Sequence, residues 1–139
     1  LLSMDENFLP AYGGIKETAL LAYHEMPELL HDAYRHLQKG LELFPESSYM
    51  NKQMGQLMDK GFGKEKKLEA AEFYENSLKW DFYQPRIHHA LAGISRLRED
   101  DRKSTYHYMV VTELSWHEEL RNESLRALNY LRRSKRMHI

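Results

Sequence analysis

Apolar residues recur along this chain at intervals of three and four, which places them on single faces of α-helices. Met50, Met54, Leu57 and Met58 form one such stripe; Leu68, Ala71, Tyr74 and Leu78 form a second; Ile87, Leu91, Ile94 and Leu97 form a third. Between the stripes stand breaks with recognisable turn chemistry. A helix from about Ala11 to His24 is expected to stop at Met26-Pro27-Glu28. Proline starts the next helix there, because its missing N–H falls in a first turn that has no partner for it. Gly61-Phe62-Gly63-Lys64 relaxes the backbone between two further helices, and Arg98-Glu99-Asp100-Asp101 supplies an aspartate as N-cap. From Glu119 a last helix is expected, with Leu125, Leu128 and Leu131 on one face and Arg126, Arg132 and Arg133 on another. Small residues at Gly40, Ala70, Ser77 and Ser104 let neighbouring helices approach, while Leu37, Tyr74 and Tyr108 fill the holes between them.

The hairpins share one register. Met54-Gly55 is followed by Glu69-Ala70-Ala71-Glu72-Phe73-Tyr74-Glu75-Asn76-Ser77-Leu78 and then by Asp81-Phe82. Ala33, Leu37, Gly40 and Pro45 hold the matching places upstream, and Ser104, Tyr108, Val111 and Trp116 hold them downstream. This pattern resembles the tetratricopeptide repeat (TPR) signature, with Leu-Gly on a first helix, then Ala, an aromatic and a second small residue on the next. The turn landmarks Phe82 and Trp116 lie 34 residues apart, the period of the family; the intervals from Glu6 to Pro45 and from Pro45 to Phe82 are longer. Ser104 stands where the family usually has Ala, and Phe82 and Trp116 where it usually has Pro. The resemblance runs from about Leu9 to Arg133. It implies an all-α fold, a right-handed α-solenoid of about three hairpins closed by a C-terminal capping helix. The repeats would span about 9–45, 48–82 and 85–116, with the cap at about 119–136, all in one domain. Leu1 to Tyr12 reads as the end of a second helix, a turn and a new first helix, so a fragment of a longer protein is expected.

Composition narrows the function. The 139 residues carry 42% hydrophobic and 29% charged side chains, as an ordinary globular domain does. Their 20 basic and 21 acidic groups nearly cancel, which gives no global field for nucleic acid. No apolar run is long enough to cross a bilayer. The absence of cysteine removes disulfides, thiol catalysis and cysteine-zinc sites, and suits cytosol and periplasm equally. Gly61-Phe62-Gly63-Lys64 lacks the phosphate-loop spacing and its Ser or Thr. No two histidines stand at chelating helical spacing, and each is expected on the surface or in a groove. No metal, cofactor or catalytic centre is therefore expected.

The TPR resemblance implies a concave groove lined by first helices, where a protein or peptide segment lies. Carried over by position, it points Tyr49, Lys52, Gln53, Gln56 and Lys60 inward from one copy, and Arg86, His89, Gly93 and Arg96 from the next. Lysine, glutamine and arginine suit an acidic or carboxylate-bearing partner. The family's clamp for a C-terminal carboxylate does not fit, since Gly13, Glu17 and Ala90 occupy its positions. The reading is thus a non-catalytic protein-interaction scaffold. The alternative is an accessory tail of a larger enzyme, such as a membrane-bound bacterial polysaccharide polymerase or ligase. Tyr12, Ile15 and Ala19 are expected to be exposed at the N-terminal face and to support a homodimer there. Trp80, Phe82, Tyr83, Tyr106, Tyr108 and Trp116 form either packing between repeats or an outer aromatic patch. Arg132 to Arg136 reads as a solvated helix end.

Overall fold

The computed structural model describes residues 9–134, and all its regular structure is helical. The helices are α1 (Leu9–Ala22), α2 (Glu28–Leu43), α3 (Ser48–Gly61), α4 (Lys64–Trp80), α5 (Pro85–Leu97), α6 (Asp101–Leu114) and α7 (Glu118–Arg133). The junction expected over residues 1–8 and the far end of the expected cap lie outside the described residues.

Turn chemistry sets the boundaries. Pro27 is the N-cap of α2, one position ahead of the first helical residue. Gly61 ends α3 and Gly63 caps α4 across a single intervening residue. The Ser47 hydroxyl accepts from Met50 N, and the Asp100 carboxylate accepts from Lys103 N, so each satisfies one N–H left open at a helix start. Glu99 turns the chain between α5 and α6 with φ 58°, a left-handed conformation that usually costs a non-glycine residue about 1 kcal/mol. It allows Asp100 N to reach Ser95 O at 2.9 Å.

α1–α4 form one compact unit and α5–α7 a second, with the boundary between Phe82 and Tyr83. In the first, α1 pairs with α2, α3 packs on both, and α4 lies against α3. Met50, Met54, Leu57 and Met58 are all buried, as the sequence stripe requires. Gly40 and Gly55 set the approach of helices: a Cβ on Gly40 would stand 2.4 Å from Met50 Cε, and one on Gly55 would stand 2.7 Å from Tyr74 Cδ1. Ser48 and Ser77 exchange hydrogen bonds, each hydroxyl donating to the other's carbonyl at 2.9 Å. The buried Tyr74 hydroxyl donates to Asp59 at 2.8 Å, and Lys67 Nζ meets the other carboxylate oxygen at 2.5 Å.

In the second unit α5 and α6 form a hairpin and α7 packs on α6. Ser104, one of the small residues expected at the helix contacts, is fully buried and donates to Ala92 O at 3.0 Å, so its hydroxyl is satisfied. Two expectations are corrected here. Leu125 and Leu97 are 43% and 45% exposed. On α7 the expected Leu131 is buried and Leu128 packs beside it against Ala92 and Tyr108, but Leu120, Ser124 and the small Ala127, not Leu125, complete the buried stripe. Tyr12 and Ala19 were expected at an open N-terminal face; each is 2% exposed. Tyr12 turns inward, its ring directly over Gly40.

Candidate functional site

The polar residues nominated on the first helices fall into two sets, one per unit. On the α1–α3 face, Gly13 lets α3 come so close that a Cβ there would stand 2.1 Å from the Tyr49 hydroxyl. Tyr49 donates to Pro10 O at 3.3 Å, and burial pushes its phenol up, against a Gly13 backbone hydrogen bond that pulls it down. Gln53 is buried beside Gly13, and its Oε1 has no hydrogen-bond partner among the described residues. One turn on, buried Lys16 donates to Gln56 Oε1 at 2.7 Å and to Glu17 Oε1 at 2.6 Å. The bond to Glu17 and the Lys16 charge, with Lys60 adding to them, hold the Glu17 carboxyl below its usual range. Tyr49 and Gln56 therefore join α1 to α3, with Gln53 packed between those helices beside Gly13. Lys52 is partly exposed and belongs to no ion pair among the described residues.

On α5, His89 Nε2 stands 3.4 Å from Glu123 of α7, and its ring meets Tyr108 edge-on. Burial lowers the His89 pKa and so does Arg86, while Glu123 works the other way. The Arg96 guanidinium lies 5.2 Å from the Tyr130 ring centroid, within cation–π range. His89 and Arg96 thus link α5 to α7. Arg86 is exposed and makes no ion pair among the described residues. Gly93 faces open space, where a Cβ would meet no neighbour within 4 Å.

A second polar cluster was missed by sequence reasoning, which set every histidine on a surface or groove. His88 is fully buried and His107 is 5% exposed; their Nδ1 atoms lie 3.0 Å apart, joining α5 to α6. One ring must carry the proton on Nδ1 while the other accepts through it. Burial, then the charge of His88 and of Lys103, lowers the His107 pKa to about 4. The signal was present: His88 continues the stripe of Leu91 and Ser95, and His107 that of Ser104 and Val111, all buried. Among the described residues no group of three or more potential ligands could hold a metal ion, and no helix is long and apolar enough to cross a membrane. An apolar groove of about 500 Å³ runs between α1 and α2, lined by Gly14, Ile15, Ala19, Leu29 and Ala33 among others. No model of a known protein family matches this chain, and no curated protein matches it either.

Proposed function

We propose that this chain is a TPR-like helical-repeat scaffold that captures an acidic protein segment on the faces of its first helices, α3 and α5 above all, and performs no chemistry of its own. In this reading the hairpins continue one another as a right-handed solenoid of about three repeats with α7 as cap. The observation that carries it is the division of labour on those faces. Tyr49, Gln56, His89 and Arg96 hold helix to helix within each unit and Gln53 is buried beside Gly13, whereas Lys52 and Arg86 stay outside any ion pair among the described residues. Rigid helices leave little side-chain ordering to oppose binding, and charge-assisted hydrogen bonds to a carboxylate supply the attraction.

The test is a binding screen with fluorescently labelled peptides rich in Asp and Glu, read by anisotropy against charge-matched basic peptides. Lys52→Glu with Arg86→Glu should abolish acidic-peptide capture while the helical circular-dichroism signal stays unchanged. Capture that survives this double reversal removes the reading.

A further inference from the structure

The outward face of α6 carries a pattern that its own unit does not use. Arg102, Tyr106, Met109 and Glu113 follow one another at intervals of four, three and four, the spacing of a coiled-coil seam, and Trp116 stands just past the helix end at Leu114. All five are exposed, Tyr106 by 50%, Met109 by 55% and Trp116 by 95%. Neither Arg102 nor Glu113 enters an ion pair among the described residues. Trp116 is held out by a tight turn in which the Ser115 hydroxyl accepts from His117 N at 3.0 Å. A seam with three large apolar side chains in water is costly unless something covers it.

The order of charges along the seam says what fits. The basic end is Arg102, the middle is Tyr106 and Met109, and the acidic end is Glu113. Laid antiparallel on a copy of itself about a two-fold axis between His107 and Tyr108, the helix sets Arg102 against Glu113 and Tyr106 against Met109, and the same again on the other side. The neighbouring positions match as Lys103 with Thr112 and Thr105 with Val110, so no like charges meet. Thioether–aromatic contacts between Met109 and Tyr106 are favourable, and Trp116 closes each end of the contact. A surface that is its own complement under a two-fold is what an isologous dimer requires.

We propose that this α6 face is the docking surface for a second copy of the chain, forming an antiparallel two-helix seam. A 14-residue helix is only about 21 Å long, so the contact is smaller than a standard interface and the dimer is weak, micromolar or weaker.

Sedimentation equilibrium of the full chain from about 1 μM to about 1 mM at low salt reads the association directly. Wild type should be a reversible monomer–dimer mixture. Glu113→Arg puts two pairs of like charges together and should weaken it roughly thirtyfold, taking each exposed pair as changing sign. The double swap Arg102→Glu with Glu113→Arg should restore it, and Met109→Arg should abolish it. All these positions are exposed, so helicity should be unchanged throughout. Because the chain has no cysteine, a mixture of Tyr106→Cys and Met109→Cys chains should form mixed disulfides in preference to like pairs. A chain that stays monomeric to about 1 mM overturns the proposal. So does a dimer that ignores Glu113→Arg, fails to recover in the swap, or responds instead to Gly14→Arg in the α1–α2 groove.

Discussion

The His88–His107 contact makes the second unit sensitive to mild acid, and the sign follows from the geometry. Folded, His107 is buried against a second imidazole 3.0 Å away, and its pKa falls to about 4 from an ordinary 6.5. The unfolded chain therefore binds a proton that the folded chain refuses between those two values. Stability is complete above about pH 7, declines as pH falls through 6.5, and levels off below about pH 4. A displacement of this size corresponds to about 3 kcal/mol, with a slope of about 1.3 kcal/mol per pH unit in mid-range. Against a total stability of about 5–15 kcal/mol, that is a large share. Urea unfolding followed by circular dichroism at four pH values spaced between the two pKa values and just above them measures it. His107→Asn is the diagnostic variant, since its amide reaches a similar point toward His88 but does not titrate. Most of the decline should vanish in His107→Asn, with a remainder from His89, whose pKa burial also lowers. An unchanged slope in that variant, or a flat wild-type profile across the range, refutes the reasoning.

Two glycines on neighbouring first helices should respond in opposite directions. Gly14→Ala places its methyl in open space and should stabilise by about 0.5–1 kcal/mol through helix propensity, whereas Gly55→Ala drives its Cβ to 2.7 Å from a ring anchored by Asp59 and should cost about 1–3 kcal/mol; thermal melts compare them. Tyr74→Phe removes the hydroxyl that donates to the Asp59 carboxylate and should destabilise by about 1.5–3 kcal/mol in chemical denaturation. Burial, with the Asp59 charge and hydrogen bond adding to it, raises the Tyr74 phenol pKa, which favours the protonated donor that this bond needs.

The helices and their breaks were legible because they depend on near neighbours. The Met50–Met58 stripe, the glycine turn at Gly61–Gly63 and the Asp100 cap each lie within one or two turns of the residues that define them. Faces were less legible where size, not hydrophobicity, decided burial. On α7 the leucines Leu125, Leu128 and Leu131 suggested a seam; Leu131 and partly buried Leu128 do pack against Ala92 and Tyr108, but Leu125 is exposed and the small Ala127 is buried there instead. Tyr12 was read as exposed because its cover, the bare Gly40 on α2, lies 28 residues away in sequence. The buried histidines were half legible: their places on apolar stripes pointed inward, but the partner each needs lies on another helix. His88 and His107 look polar alone, and only their pairing across the α5–α6 hairpin makes burial tolerable.

That distinction bears on the binding reading as well. A polar side chain on an inward-facing position has two ways to satisfy itself, a neighbouring helix or a partner, and sequence position alone cannot separate them. Here Tyr49, Gln56, His89 and Arg96 have already chosen the neighbouring helix, and Gln53 is sunk beside Gly13 with no hydrogen-bond partner for its oxygen among the described residues. Substituting any of them would loosen α1 from α3 or α5 from α7, and a loss of binding would then report folding. Lys52 and Arg86 are different, because reversing a charge that reaches solvent and enters no ion pair among the described residues should leave packing intact and change stability by about 0.5 kcal/mol or less. They are the two positions at which a binding defect would speak for recognition itself.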